Sequence, residues 1–534
     1  MCLTIPKSNL DRMKGIRFTA LDGSGTIGGS KLLLEYDGHS LLLDFGINYH
    51  AMDDYYEEYL QPRTPCGILD YVTMGVLPMV SGLYREDLLH PNASLENFSV
   101  GRIDAILVSH AHMDHCGHLG FLPRNMPMAS SKMTAAIMKA IEDISPSKLG
   151  RDCIFLKERA AGETERGDTV IKTTKGPSRG RDFYATDGGI TKSFGDFWNL
   201  RPATQFTKKN NSMQPGEFLE DLHDIDIDSY PVDHSIKGAN AFIIHTSQGS
   251  VTYTGDIRLH GLHGDDTLEF VEQAKRANTY ALIIEGTNID GESKSASERE
   301  VKENSEKILD DAKDDFVIVD FGPRNIERME IFLEIAEKYH RKLVVTSKDA
   351  YLLAAMNTAD TTTPDPNKRN ILIYDCPRGK YDYWEKYIFN QKYPDLSIKP
   401  FDIMKSPGSY LLSFSFFDMS HLVDLRPENG QYIYSSSEAH SEEQVIDFKR
   451  LNNWLKRFDI KPHGFSVDKE GKVKSEKGLH ASGHASKDDI TDIIRKIDPE
   501  ILMPVHTVRP EWFADSFSGE RDVKLPKQCE PIDL

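Results

Sequence analysis

Metal-binding residue types crowd into one short stretch of this chain, Ser109-His110-Ala111-His112-Met113-Asp114-His115. The apolar run Ala105 to Val108 before it reads as a buried strand, so the strand hands the chain to a tight loop bearing three imidazoles and one carboxylate. Neutral imidazole and carboxylate suit Zn²⁺ and similar divalent ions. The alternation puts His110 and His112 on one side of the loop, while Asp114 and His115 reach another. One ion does not use them all. A histidine-rich surface loop with no ligand role would need these residues to gather at a strand end by coincidence.

The same situation recurs downstream. Ile225 to Val232 alternates towards Asp233-His234-Ser235, and Ala241 to His245 with Ser250 to Thr254 read as a strand pair ending in Gly255-Asp256. Thr279 to Ile284 is a third such strand, ending in Glu285-Gly286-Thr287-Asn288. Near the end come a turn, Gly478-Leu479-His480-Ala481-Ser482-Gly483-His484-Ala485-Ser486, a helix over Lys487 to Ile497, and a strand closing on Met503-Pro504-Val505-His506. Residues past the carboxyl ends of different strands can converge on one rim although they are far apart in the chain. Asp256 then offers the bridging carboxylate that a two-metal site requires. Two histidines in a Gly/Ser turn ahead of a helix N-terminus make an anion cradle.

The His-x-His-x-Asp-His loop resembles the signature of the metallo-β-lactamase superfamily, and the later segments narrow the resemblance to its β-CASP nucleases, RNase J in particular. It implies an α/β protein: a metallo-β-lactamase αββα sandwich with an inserted β-CASP α/β domain closing over the metals. It implies His110, His112 and His234 on one ion, Asp114, His115 and His506 on the other, and Asp256 between them. His480, Ser482 and His484 would meet the scissile phosphate, with His484 oriented by Glu285 to contact it or to protonate the leaving oxygen. Glu285 capping the next helix is the competing explanation. The implied cofactors are two divalent ions, with Zn²⁺ favoured and Mn²⁺ acceptable, and a water shared by such a pair becomes a competent nucleophile near neutral pH. Asp44-Phe45-Gly46 and the Gly-rich turn Asp22 to Gly29 would lie near the metal floor. A dinucleotide reading of that turn fails, because a strand rather than a helix follows it. Two departures stand out: Gly286 replaces the family's Ser, and Thr507 replaces the Gly after Pro-Val-His.

The chain has 534 residues, enough for two or three domains. A shift to alternating strands and helices marks the second, giving 1–290 for the first part of the metallo-β-lactamase domain, 291–449 for the insertion and 450–534 for the return. Within the insertion, Phe321-Gly322-Pro323-Arg324-Asn325-Ile326-Glu327-Arg328 occupies a strand-to-helix turn. Arg324 and Arg328 are candidate phosphate contacts there, salt bridging being the plainer explanation. Ser435 to Ser437 with Glu438 is the corresponding polar turn after the last strand of the insertion. Residues 48–101 read as a loop-rich insertion, and Arg124 to Asp143 as an amphipathic helix. Residues 145–198 mix basic side chains, among them Lys148, Arg151, Arg179 and Arg181, with Phe183, Tyr184, Phe194 and Trp198. That combination suits either tracking of a single nucleic-acid strand or a solvated insertion.

The formal net charge of −19 excludes indiscriminate binding to a polyanion, so a nucleic acid must be held by a local groove or by metal. Six scattered cysteines, Cys2 among them, suggest a reducing compartment. No apolar leader core and no run of about 18 apolar residues is present, which points to a cytoplasmic protein without a membrane span. The expected function is metal-dependent hydrolysis of RNA, as endonuclease, 5′-to-3′ exonuclease or both. RNA is the expected partner and a homo-oligomer is an open one, although the family's assembly is not carried over because little chain follows His506. The alternatives are a DNA nuclease, a thioester-type hydrolase on the same metals, or an inactive RNA-binding subunit. The last is disfavoured because such paralogues lose ligands that are all present here.

Overall fold

The computed structural model describes residues 15–57, 59–95, 98–145, 149–150, 152–200, 213–290, 296–436 and 442–534. Cys2, Lys148, Arg151, Ser437 and Glu438 lie outside the described residues. Two sheets stack face to face. In pairing order the first runs through residues 183–185, 128–130, 105–107, 39–45, 31–36, 16–22 and 532–533, and the second through 227–231, 240–246, 249–253, 279–285, 501–505 and 522–523. Strand alternation explains the stacking. Phe18, Leu32, Leu34, Leu41 and Leu43 of one sheet meet Phe242, Ile244, Val251, Ile283 and Met503 of the other in a shared core. The residues between them point outwards and are covered as well, Leu33, Leu42 and Ile106 by the helix Lys132–Ile144. Ile243, Leu282, Ile284 and Leu502 lie under the helices Gly264–Arg276, Lys487–Ile497 and Pro510–Phe517. Strands apolar on both faces demand helices on both outer faces, which is the αββα sandwich.

After Glu285 the chain leaves to build a separate seven-stranded parallel sheet, in the order 397–398, 371–374, 342–345, 410–413, 317–320, 430–434, 460–463. The helices Ile326–Lys338 and Ser347–Ala359 cover one face, and Glu442–Arg457 covers the other. The strand Ile460–His463 pairs with Gly430–Tyr434. Helix Glu442–Arg457 therefore belongs to the cap, with Phe448, Leu451 and Leu455 in the cap core. We accordingly place the return to the first domain between Ser475 and Lys487, later than residue 450, since an apolar helical stripe does not say which sheet it covers.

Two other expectations change. The helix expected from Arg124 starts at Lys132, because Met128–Ser130 pairs as a strand and Ser131 caps the helix by accepting from the Thr134 N–H at 3.1 Å. In 145–198 the rings stack on one another instead of facing solvent: Trp198 lies 5.0 Å from Phe183 and 5.6 Å from Phe194, and all three are buried. Arg181 is buried too, donating to the carbonyls of Leu119, Leu122, Pro123 and Met126. The stretch yields an exposed hairpin, Phe155–Glu163 with Thr169–Gly180, and the helix Lys192–Asn199, which packs on the cap helix Ser347–Ala359. That cap helix is buried over Asp349 to Met356 because it lies between the cap sheet and the first domain's helices.

Candidate metal centre

All the residues expected at the metals meet at one rim. His110 Nε2 lies 3.1 Å from His112 Nδ1, which lies 3.0 Å from His234 Nε2. Asp256 Oδ2 stands 3.6 Å from His110 Nε2, 3.8 Å from His234 Nε2 and 3.2 Å from His115 Nε2. Asp114 Oδ2 is 3.3 Å from His506 Nε2 and 3.9 Å from His115 Nε2. Tetrahedral ligands bonded at about 2.0–2.1 Å are spaced by about 3.3 Å, so these separations suit ligand atoms around a cation. Two groups follow, His110, His112, His234 and Asp256, and Asp114, His115 and His506, with Asp256 reaching between them.

In four of the five candidate ligand rings the nitrogen at the centre is held open by a contact on the far side of the ring. His115 Nδ1 donates to Asp44 Oδ2 at 2.8 Å, His234 Nδ1 to the Gly483 carbonyl at 2.6 Å, and His506 Nδ1 to Thr287 Oγ1 at 2.8 Å. His110 Nδ1 faces Ser109 Oγ at 3.0 Å, and that hydroxyl donates to Asp44 Oδ2 at 2.6 Å. Each contact sets the tautomer whose other nitrogen points to the centre. Asp44 also accepts from the Ser109 N–H and from the Tyr253 hydroxyl, so its expected place at the metal floor is that of a hub. Asp44 and His506 both adopt left-handed backbone, at φ 58° and 50°, a strain tolerated where function over-determines the position. Gly46 is required by close approach, since a Cβ there would fall 1.6 Å from the Asp114 carbonyl oxygen.

The protonation pattern also fits a cation. Burial pulls His110, His112 and His234 down, the last to about 3, leaving the neutral imidazoles that ligate metal. His115 goes the other way: burial opposes its proton, but the Asp256 and Asp114 carboxylates outweigh it. A proton on His115 sits where a dication would satisfy the same carboxylates. Among the described residues, buried His115 Nε2 and Asp256 Oδ1 have no hydrogen-bond partner, which a bound ion would resolve.

Beside the rim, His484 Nδ1 donates to Glu285 Oε2 at 2.9 Å and lies 3.8 Å from Asp256 Oδ2. Glu285 Oε1 accepts from the Ile257 N–H, so the carboxylate faces the centre and is not spent on capping a helix. Burial lowers the His484 pKa and the Glu285 and Asp256 charges raise it, to about 9 overall; cations at Asp256 would work against that rise. Ser482 Oγ accepts from the His484 N–H at 3.1 Å, which shapes the turn carrying half-buried His480 and His484. Gly286 and Thr507 lie against one another. A Cβ at Gly286 would come within 3.0 Å of Thr507 Cβ and 2.8 Å of the Phe513 ring, so a serine does not fit beside this threonine. Thr287 Oγ1, one residue on, accepts from His506 Nδ1.

The two arginines part company. Arg324 lies half-buried over the metal loop, donating to the Ala111 carbonyl at 3.1 Å, within the cleft. Arg328 was expected at phosphate and is not available to it. It is 1% exposed and spends its donors on Glu298 at 2.8 and 3.0 Å, on Ser435 and on the Leu479 carbonyl. Helical phase decides this, because Arg324 precedes the helix Ile326–Lys338 while Arg328 sits on its buried side. Arg258, His260 and Thr287 carry no motif of their own in the sequence. The position of Arg258 two residues after Asp256 was the available signal.

Residues 28–132 match the metallo-beta-lactamase superfamily, and residues 472–526 match the Zn-dependent metallo-hydrolase RNA specificity domain. Over 504 residues the chain is 22% identical to ribonuclease J of Mycoplasma genitalium, covering 92% of this chain and 68% of that protein. Ribonuclease J of Helicobacter pylori is 20% identical over 94% of this chain, which spans 57% of that relative. Ribonuclease J of Pyrococcus abyssi is 19% identical, with 92% and 89% covered. A crystal structure of a protein of unknown function from Enterococcus faecalis superposes with a TM-score of 0.64 at 22% identity, over 97% of this chain and all of that one, a likeness of fold.

Proposed function

We propose that this RNase J-like β-CASP protein of the metallo-β-lactamase superfamily is a metal-dependent ribonuclease that hydrolyses RNA phosphodiester bonds. The observation that carries the reading is the convergence of seven ligand side chains at a rim that also holds the His484–Glu285 pair. Divalent ions bound there would supply an activated water and countercharge for the phosphate. The rest falls to the chain's own residues. His110, His112 and His234 would hold one ion, Asp114, His115 and His506 the other, with Asp256 between them. Zn²⁺ suits this donor set and Mn²⁺ is compatible with it. Glu285 holds the Nδ1 proton of His484, so the opposite ring nitrogen is the one offered to a phosphate oxygen or leaving group. His480 and Ser482 on the same turn, and Arg324 over the metal loop, would steady the phosphate and the strand beside it.

No helix among the described residues is long and apolar enough to cross a membrane. The free thiols Cys66, Cys116, Cys153, Cys376 and Cys529 support a reducing, cytoplasmic setting as part of the same reading. The test is cleavage of end-labelled RNA carrying a 5′-monophosphate or 5′-triphosphate, against matched DNA, with metal analysis of the purified protein. RNA cleavage that chelation abolishes is expected. Asp256→Asn should abolish turnover, and His484→Ala should slow it strongly with metal content retained. Cleavage of DNA alone, or inertness when fully metallated, would overturn the proposal.

A further inference from the structure

One guanidinium joins the metal rim, the cap and the phosphate turn. Arg258 is fully buried, two residues after Asp256. Its Nε donates to Asp233 Oδ1 at 2.9 Å, beside the ligand His234. Its Nη2 donates at 2.6 Å to Glu327 Oε2, on a cap helix. Its Nη1 donates at 3.2 Å both to Glu298 Oε1, on the first cap helix, and to the Ser482 carbonyl of the turn. His260 Nε2 holds that same Ser482 carbonyl at 2.9 Å, and the Ala485 N–H donates to the Ile257 carbonyl at 2.6 Å. Arg328 completes the arrangement by holding Glu298 from its other side.

We infer that Arg258 is a positioning residue for the hydrolysis proposed above: it holds the 478–486 turn at the angle that keeps His484 on Glu285 and ties that angle to the seating of the cap. The inference rests on that functional reading. The planar fork of arginine is what allows it. Three carboxylates and one carbonyl arrive from different directions, and a lysine ammonium is a single point charge that cannot reach them all. Three buried carboxylates against two arginines leave no neutral substitute that satisfies the cluster. The turn has no regular secondary structure to resist rotation about Ser482–Gly483. Loss of the Arg258 donor would leave the Ser482 carbonyl to His260 alone and loosen the turn around His484, while the Gly483 carbonyl stays on His234 Nδ1 and keeps that ring in place. A cavity of about 480 Å³ is lined by Asp233 and Glu327, two of the carboxylates that Arg258 holds, and is the route a small cation would take in place of the missing side chain.

The experiment compares Arg258→Ala and Arg258→Lys with the full-length wild type, all metal-loaded. Single-turnover RNA cleavage should fall about 100-fold in both variants, the cost of a small displacement of a reacting group, with KM within about threefold and metal content unchanged. Guanidinium ion should restore cleavage by Arg258→Ala at least about tenfold, and methylammonium should not. Hydrogen exchange of the 478–486 amides should speed up while that of 347–359 does not. Unchanged turnover, loss of metal, a KM effect alone or unchanged exchange in 478–486 would each overturn the inference. A wild type that does not cleave RNA would fail the functional reading instead, and the exchange comparison would then decide the role of Arg258 without any substrate. Arg258→Lys keeps the test open if the alanine variant does not fold.

Discussion

Two seams join the cap to the first domain, and they are built from opposite materials. The outer seam is apolar. Helix Ser347–Ala359 carries Tyr351, Leu352, Ala355 and Met356 into a core shared with Met133, Ile137 and Phe197, and one buried polar contact, Tyr351 hydroxyl to Asp143 at 2.7 Å, accompanies it. The inner seam, at the floor of the cleft, is ionic: Arg258 and Arg328 against Asp233, Glu298 and Glu327, all buried. Apolar contact is non-directional and scales with area, so it fixes that the domains meet. Charged hydrogen bonds lose most of their worth when their angles change, so they fix how the domains meet. The candidate metal centre lies beside the directional seam.

That contrast can be broken by mutation. Tyr351→Ala should cost about 3–5 kcal/mol, as truncation of a buried aromatic does, and lower the thermal midpoint, while turnover per folded molecule and metal content stay at wild-type levels. An equal loss of turnover would erase the division between the seams. Glu298→Gln removes the charge shared by the two arginines. It should cost about 1.5–3 kcal/mol in a denaturant melt, and it should also slow single-turnover cleavage, which the outer-seam variant does not. The smallest effect is on pH. Burial raises the Glu327 carboxyl above its ordinary range and Asp233 and Glu298 push the same way, although Arg258 opposes them; Leu262 N–H and His263 also face the group. A folded-state pKa above the unfolded one contributes stability that is complete below the usual carboxylate value of about 4.3 and is lost as pH rises through the raised value. The wild-type midpoint should therefore decline across weakly acidic pH, and Glu327→Gln should flatten that decline. Equal slopes in the two proteins would remove Glu327 from the account.

The rim and the seams differed in how far they could be read in advance. The meeting of His110, His112, Asp114, His115, His234, Asp256 and His506 was legible because metal ligation demands a few residue types and these residues follow strand ends, Asp114 and His115 on the short helix Met113–Cys116. The Glu285–His484 pair was reached through family resemblance, and its 2.9 Å contact through the fold. Phe183, Phe194 and Trp198 left two readings open, since an aromatic beside a lysine reads the same whether it stacks on a base or on another ring. Arg324 and Arg328 show the limit most sharply. They share one turn and one chemistry, yet one faces the cleft and the other is enclosed.

The amino-acid sequence by itself determined which atoms can ligate, the alternation that makes both sheets apolar on two faces, and the family pattern that orders them. Only the tertiary structure decided what each arginine does, where the cap ends and why a side chain at Gly286 would collide with Phe513 and Thr507. The physical reason is that a ligand's chemistry is a property of its own side chain. The role of a buried cation or a glycine belongs to the groups packed around it, and for Arg328 those are Glu298, Ser435 and Leu479, contributed by three distant segments.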